Sequence, residues 1–239
     1  MLFAAGLGTR LRPLTNDRPK ALVEIGGKTL LRRALEKLAA AGVTDVVVNV
    51  HHFADQMIDY LGAQTDLELD IHVSDERHLL RNTGGGLLHA RDFFSDDTPF
   101  IAYNVDIVSD IDLVAMYRTA VRDDIGALLA TRQRETSRYL LFTPRSKELI
   151  GWKNQQTGEI IRAREFRRCM TRAFSGISVM HPRLFAHVPP NKDVFGLVEW
   201  WLRVTNEDRV IAYPHDADFW LDVGKKDALQ EAEVYFGSE

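Results

Sequence analysis

Cysteine is almost missing from these 239 residues: Cys169 stands alone, which excludes an internal disulfide framework and fits a reducing, cytoplasmic compartment. No run approaches the ~18 apolar residues of a membrane span, and the opening MLFAAGLG has neither the basic lead nor the apolar core of a secretory signal. Neither sign of charge dominates, with 30 Lys+Arg against 34 Asp+Glu. Repeats and low-complexity linkers are absent too, as are a GxSxG elbow, an HExxH pair and a CxxC pair. These absences exclude a secreted, fibrous, disordered or membrane-spanning protein, and they speak against covalent and zinc chemistries. What is present is an ordinary globular composition, 45% apolar and 27% charged, on a chain long enough to bury a core without a staple. One large domain over 1–239 is expected.

Charge is unevenly spread. The segment 132–172 carries 11 Lys/Arg and 4 acids, net +7, so the remainder is −11. Such a segment suggests a basic lip for an anionic partner, but on charge alone a solvated strand-and-loop insert is the readier explanation.

Strand and helix signals alternate. LFAAG reads as a buried strand, starting so close to Met1 that a few native residues are expected ahead of it. Thr29 to Ala41 has helical apolar spacing and stops at Gly42; DVVVNV from Asp45 to Val50 is a buried strand; Ala54 to Leu61 is helical. Leu67 to Val73 alternates as a strand, Leu87 to Phe94 reads as a helix, and Pro99 to Val108 as one buried strand. A helix over Asp112 to Arg122 and a strand over Ile125 to Thr131 follow. Short strands at Tyr139 to Phe142, Leu149 to Trp152 and Ile160 to Arg162 make the basic segment a β-rich insert at about 132–172. Alternation resumes with Gly176 to Met180, a helix at Leu197 to Val204, a strand at Val210 to Tyr213 and a terminal helix from Lys226. The expected fold class is α/β, a single Rossmann-like mixed and mostly parallel sheet flanked by helices.

Five constellations carry chemical meaning. Gly6 and Gly8, directly after the first strand, let the backbone turn and bring its N–H groups near phosphate oxygens, with Arg10 and Arg12 as cationic donors. Leu11 replaces the third glycine of GxGxxG and no Gly-Lys-Ser/Thr follows, so neither the dinucleotide fingerprint nor the Walker loop applies; an ordinary tight turn also suits these glycines. Pro19 fixes the backbone before Lys20, a good point charge for phosphate, although most lysines simply face water. Asn82 to Gly86 (NTGGG) reads as a glycine-rich approach to a flat ligand ahead of a helix, or as a flexible loop. Asn104-Val105-Asp106 ends a buried strand, where ligands of open α/β sheets bind. Trp220 to Gly224 (WLDVG) sets a second aspartate among apolar residues, and Asp106 with Asp222 could hold one Mg²⁺; a helix cap also explains Asp222. Adjacent His51 and His52 point to opposite sides of a strand and make a poor chelate. Trp200 and Trp201 read as core.

In order along the chain, AAGLGTRLRPLT, RPKALVEIGG, NTGGG, NVD, FSGISVMHP and WLDVG resemble the sugar-1-phosphate nucleotidyltransferases, the nucleotide-diphospho-sugar pyrophosphorylases, from Leu2 to about Glu233. The TGGG triplet and FSGISV most resemble the N-acetylmuramate-1-phosphate uridylyltransferases of cell-wall recycling, with mannose- and heptose-1-phosphate guanylyltransferases as near relatives. The resemblance implies transfer of a nucleotidyl group from an NTP, UTP above all, to a sugar 1-phosphate, giving an NDP-sugar and pyrophosphate. Gly6, Leu7, Gly8, Thr9, Arg10 and Lys20 would hold the triphosphate, and Thr83, Gly84 and Gly85 the base and ribose. Asn104 and Gly176 would lie at the sugar, and Asp106 and Asp222 would bind the Mg²⁺ cofactor; Arg10, Lys20 and Asp106 would be catalytic. Val105 departs from the Gly or Ala usual there, and Ala21 from a proline. Other readings are a non-catalytic nucleotide-sugar-binding subunit, which retained Arg10, Lys20, Asp106 and Asp222 argue against, and nucleic-acid binding through the basic insert, which lacks stacking aromatics. The expected partners are NTP and sugar 1-phosphate, with no nucleic acid and no membrane, in a monomer or homodimer.

Overall fold

A computed structural model describes residues 1–94, 97–224 and 226–237. In chain order the strands and helices are β1 (Leu2–Phe3), β2 (Glu24–Ile25), β3 (Lys28–Thr29), α1 (Leu30–Ala40), β4 (Asp45–Val50), α2 (Ala54–Gly62), β5 (Asp70–Asp75) and α3 (Asn82–His89). They continue with β6 (Phe100–Asn104), β7 (Ile107–Ser109), α4 (Leu113–Arg122), β8 (Ala127–Arg132), β9 (Arg138–Phe142), β10 (Leu149–Asn154), β11 (Ile160–Arg162) and β12 (Met170–Met180). The last are α5 (Leu197–Val204), β13 (Val210–Pro214), β14 (Trp220–Asp222) and α6 (Lys226–Gly237). The class is the expected one: a mixed, mostly parallel sheet flanked by helices, with small antiparallel additions. Among the described residues no helix is long and apolar enough to cross a membrane.

The chain divides into two compact units, one of Met1–Arg81, Tyr103–Val114 and Phe219–Glu239, the other of Asn82–Ala102 and Ala115–Asp218. In the first, β1 runs parallel to β4 and to the Tyr103-Asn104 end of β6, and β4 runs parallel to β5. Helix α1 follows its sequence signals closely. Thr29 caps it, its Oγ1 accepting from the Arg32 amide at 3.0 Å, and Gly42 at φ 82° ends it, with Val43 N donating to Leu38 O at 3.1 Å. Its buried stripe is Leu30, Leu31, Ala34, Leu35 and Leu38. In the second unit β8 pairs parallel with β13 and antiparallel with β12; in the basic insert β9, β10 and β11 form an antiparallel meander and β12 returns beside β9, a Greek-key order.

Several expected elements differ. The strand expected from Gly176 begins at Met170, because its first residues pair with β9. The strand read over Pro99 to Val108 is broken into β6 and β7 by a turn at Val105 and Asp106. Continuous apolar sequence does not report that break. The strand expected from Leu67 begins instead at Asp70, because parallel pairing with β4 sets in at Asp45 opposite Asp70. The helix expected from Leu87 starts five residues earlier, so the glycine triplet lies inside α3, and it ends at His89 rather than running to Phe94. Helix propensity argues against glycine there; tertiary contact overrides it, as described below.

Candidate active site

The first unit gathers four of the predicted side chains at one place. Gly8 sits at φ 63°, a left-handed position, and its carbonyl accepts from Leu11 N at 2.9 Å and from Thr15 Oγ1 at 2.8 Å. That closes a single 3₁₀ turn over Thr9–Leu11. Leu11 is fully buried in an apolar cluster with Val23, Ile25, Val108, Leu221, Val223 and Leu229. Burial of Leu11 leaves its neighbour Arg10 facing outward, and Gly6 and Leu7 are exposed as well. Lys20 opens a second 3₁₀ turn after Pro19; it is only 8% exposed, and its ammonium forms an ion pair with Asp106 Oδ2.

Strand β14 supplies the rest. Leu221 and Val223 are anchored in the apolar cluster, so Asp222 between them points the other way. Asp222 pairs with Ile107 across the β14–β7 ladder, and Val223 N donates to the Asp106 carbonyl at 2.9 Å. The turn bearing Asp106 is therefore held directly by the strand bearing Asp222. Gly224 shows how tightly the groups converge. A Cβ placed there would lie 2.6 Å from Arg10 Nη2, 2.7 Å from Asp222 Oδ1 and 3.0 Å from Lys20 Nζ. Asp222 Oδ1 also accepts from Gly224 N at 2.9 Å, so this carboxylate caps its own turn. Beneath the site Tyr103 is buried with its hydroxyl donating to Ile107 O at 2.8 Å; burial, and then the Asp106 charge, push its phenol well above the ordinary range. Val105 is 4% exposed and donates its amide to Phe3 O at 3.0 Å. The Val105 side chain is core, which accommodates the departure from a smaller residue.

The two carboxylates offer hard oxygen donors, and a cation, the Lys20 ammonium, is already drawn onto one of them. That donor set suits a small hard divalent ion. A second group sequence reading did not single out, Asp45, Asp70 and His72, brings one ligand atom each to within 4.8 Å of one another, with both aspartates exposed.

Asn104 is half-buried at the end of β6, paired with Phe3. In the second unit, the close approach read from the glycine triplet is, at Gly84, to the chain itself. A Cβ there would lie 2.5 Å from the Phe195 ring, and Gly84 N and Gly85 N both donate to Phe195 O, at 2.9 and 3.1 Å. Thr83 Oγ1 accepts from Leu197 N at 3.1 Å. Gly176, at φ 79°, lies where the pairing of β12 with β8 shifts register between Phe174 and Ser178. Its neighbour Ser175 is hydrogen-bonded to Nε2 of the buried His215 at 2.6 Å. Of the basic segment, Arg172 is spent internally: it is 4% exposed and donates to Thr131 Oγ1, Thr131 O and Asp216 Oδ2.

A model of the family described as nucleotidyl transferase matches residues 1–148. The chain belongs to the nucleotidyl transferase family. This nucleotidyl transferase is 34% identical over 249 residues to the N-acetylmuramate alpha-1-phosphate uridylyltransferase of Caulobacter vibrioides, covering 98% of this chain and 95% of that protein. It is 30% identical over 251 residues to a mannose-1-phosphate guanyltransferase of Schizosaccharomyces pombe, covering all of this chain but 64% of that longer protein. Among solved structures it resembles in fold a UDP-glucose pyrophosphorylase from Acinetobacter baumanii, with a TM-score of 0.80 at 15% identity over 99% of this chain and 92% of that one.

Side chains that sequence reading missed hold these groups in place. Asn49 accepts from the amides of Ala4 and Ala5 at the exit of β1, and Glu76 accepts from Asn49. The signal for Asn49 was legible: it is the one amide in DVVVNV, where the other buried residues are all valine, and a buried amide must be bonded.

Proposed function

We propose that this nucleotidyl transferase moves a uridylyl group from UTP to N-acetylmuramate 1-phosphate, releasing pyrophosphate. The observation that carries the reading is the convergence of Arg10, Lys20 and Asp222 around Gly224, with Asp106 paired to Lys20. Two cations and two carboxylates from separate parts of the sequence converge there, a charge density that suits a highly charged ligand together with a divalent cation. The choice of base and sugar rests on the Caulobacter relative, which matches at 34% identity almost end to end.

In this reading an oxygen of the sugar 1-phosphate attacks the α-phosphorus of UTP in line. The new P–O bond joins the two phosphates while the bond from the α-phosphorus to the β-bridging oxygen breaks, and pyrophosphate leaves. No protein nucleophile takes part, so the chain acts by position and charge. Arg10 holds the β- and γ-phosphates, and Lys20 stabilises charge at the α-phosphate when its ammonium turns from Asp106 to the ligand. Gly6, Leu7, Gly8 and Thr9 wrap the triphosphate, Thr83, Gly84 and Gly85 take base and ribose, and Asn104 and Gly176 take the sugar. Asp106 and Asp222 would hold Mg²⁺, which when bound supplies positive charge to the two anionic substrates. Losing one such charge contact lowers turnover about 10²- to 10³-fold.

The test is pyrophosphate release with Mg²⁺, pairing UTP, GTP, CTP, dTTP and ATP with the 1-phosphates of N-acetylmuramic acid, mannose, heptose and glucose. Release confined to UTP with N-acetylmuramate 1-phosphate is expected. Release confined to GTP with mannose or heptose phosphate would replace base and sugar; the Schizosaccharomyces relative, 30% identical along this whole chain, supports that second reading. Nucleotide binding with no release in any pair would overturn catalysis in favour of a binding subunit.

A further inference from the structure

Glu76 is a carboxylate with 2% exposure that the chemistry above does not use. Burying such a group is costly unless every oxygen finds a donor. One oxygen accepts from Asn49 Nδ2 at 2.8 Å and the other from the backbone amide of Arg81 at 3.2 Å. Asn49 is itself 3% exposed, and its Oδ1 accepts from the amides of Ala4 at 2.7 Å and Ala5 at 3.3 Å. Ala4 and Ala5 are the last residues before Gly6, and Arg81 is the last before Asn82. The backbone of Glu76 is pinned as well, its amide donating to Val50 O at 2.8 Å and its carbonyl accepting from His51 Nδ1 at 2.7 Å.

We propose that Glu76 and Asn49 form a positioning relay for the nucleotide: one buried carboxylate fixes both the entry to the Gly6–Arg10 turn and the residue leading into Asn82–Gly86. Because β1 ends at Phe3, the amides of Ala4 and Ala5 leave the ladder at the point where the loop must take its shape. The Asn49 amide captures both, and Glu76 orients that amide, since only a carboxylate can accept from Asn49 on one side and from Arg81 on the other. Neither side chain touches substrate. The relay rests on the proposed nucleotide site and names residues that set its affinity.

The relay has a polarity that can be exchanged. In Glu76→Gln alone, the new Nε2 faces a donor on one side or the other, Asn49 Nδ2 or Arg81 N. In Asn49→Asp alone, two carboxylates face each other. In the double exchange Asn49→Asp/Glu76→Gln, the new amide at position 76 would donate to the new carboxylate at position 49 and accept from Arg81 N. That carboxylate would in turn accept from Ala4 and Ala5, so every bond is re-made. The readouts are the dissociation constants of Mg·UTP and Mg·GTP by calorimetry, and the KM for nucleotide against that for sugar phosphate. Each single variant should weaken nucleotide binding by up to about 10²-fold, the loss that goes with displacing a site by about 1 Å, with the KM for sugar phosphate little changed. The exchange should return binding to within about threefold of the parent. Folded single variants that bind nucleotide as the parent does, or a folded exchange variant no better than the singles, would overturn the relay. Should a single variant fail to fold, the exchange variant decides alone, and its own failure to fold counts against the relay. A parent chain that binds neither nucleotide takes down the proposed function itself, an outcome distinct from any difference among the variants.

Discussion

The ion pair between Lys20 and Asp106 is the place to separate folding from chemistry. Lys20 has 9% of its side chain exposed and Asp106 19%, so removing either partner strands a largely desolvated charge. For buried pairs that costs about 3–5 kcal/mol, whereas replacing both partners with neutral groups of similar size is often close to neutral. Asp106 retains some contact with water, so the lower end, about 3 kcal/mol, is expected for Lys20→Met or Asp106→Asn alone. In a chain of this length each kcal/mol moves the melting point by about 2–4 °C, so each single variant should melt about 6–12 °C below the parent. The double variant Lys20→Met/Asp106→Asn should recover most of that loss and fall only about 1 kcal/mol below the parent, so the coupling in the cycle is about 5 kcal/mol. Turnover should behave oppositely. Each single variant should lose about 10²- to 10³-fold in pyrophosphate release, and the double variant should be no more active than either. Calorimetric melting of all four proteins, with release rates on the same samples, makes the comparison. A double variant as unstable as the worse single, or one with restored turnover, would refute the idea that this pair joins stability and catalysis through one desolvated contact.

Gly224→Ala pushes a methyl group against Arg10, Lys20 and Asp222 at 2.6–3.0 Å. A displacement of about 1 Å in such a site costs about 10²-fold in rate, so kcat should fall while far-ultraviolet circular dichroism stays unchanged; parent-like kcat would sink the crowding argument. Gly84→Ala drives a Cβ to 2.5 Å from the rigid Phe195 ring, so overpacking should lower stability by about 1–3 kcal/mol in denaturant unfolding, and Phe195→Leu should relieve it. Stability should also fall on acidification. Burial would raise the Asp216 carboxyl, but Arg172 and the Gln133 amide outweigh it and hold the folded value below the ordinary one. A depressed value contributes stability that is complete above the unfolded carboxylate range, about pH 4, and is lost as pH falls through the folded value. The Asp216 contribution to the melting point should therefore decline only below about pH 4, and Asp216→Asn should flatten that part of the acid limb.

Local chemistry determined much of this protein from the sequence alone. The cap at Thr29, the stop at Gly42 and the apolar stripe between them made α1 readable, because capping and periodicity act within a few residues. The alternation of strands and helices announced an α/β fold for the same reason. The ordered motifs pointed to Arg10, Lys20, Asp106 and Asp222, and these are the side chains that the first unit draws together or pairs.

What tertiary structure decided is everything that depends on a neighbour far along the chain. The turn that separates β6 from β7 exists because β14 clamps Asp106 from over a hundred residues away, and an apolar run carries no mark of it. The glycine triplet forms a helix against its own propensity because Phe195 lies on Gly84 and accepts the amides of Gly84 and Gly85. Glu76 reads in sequence as one more surface acid and proves to be a buried acceptor, since its partners, Asn49 and Arg81, are chosen by the parallel pairing of β4 with β5. Periodicity and capping are written in short windows; the desolvation and crowding that shape a site are sums over residues that meet only after folding.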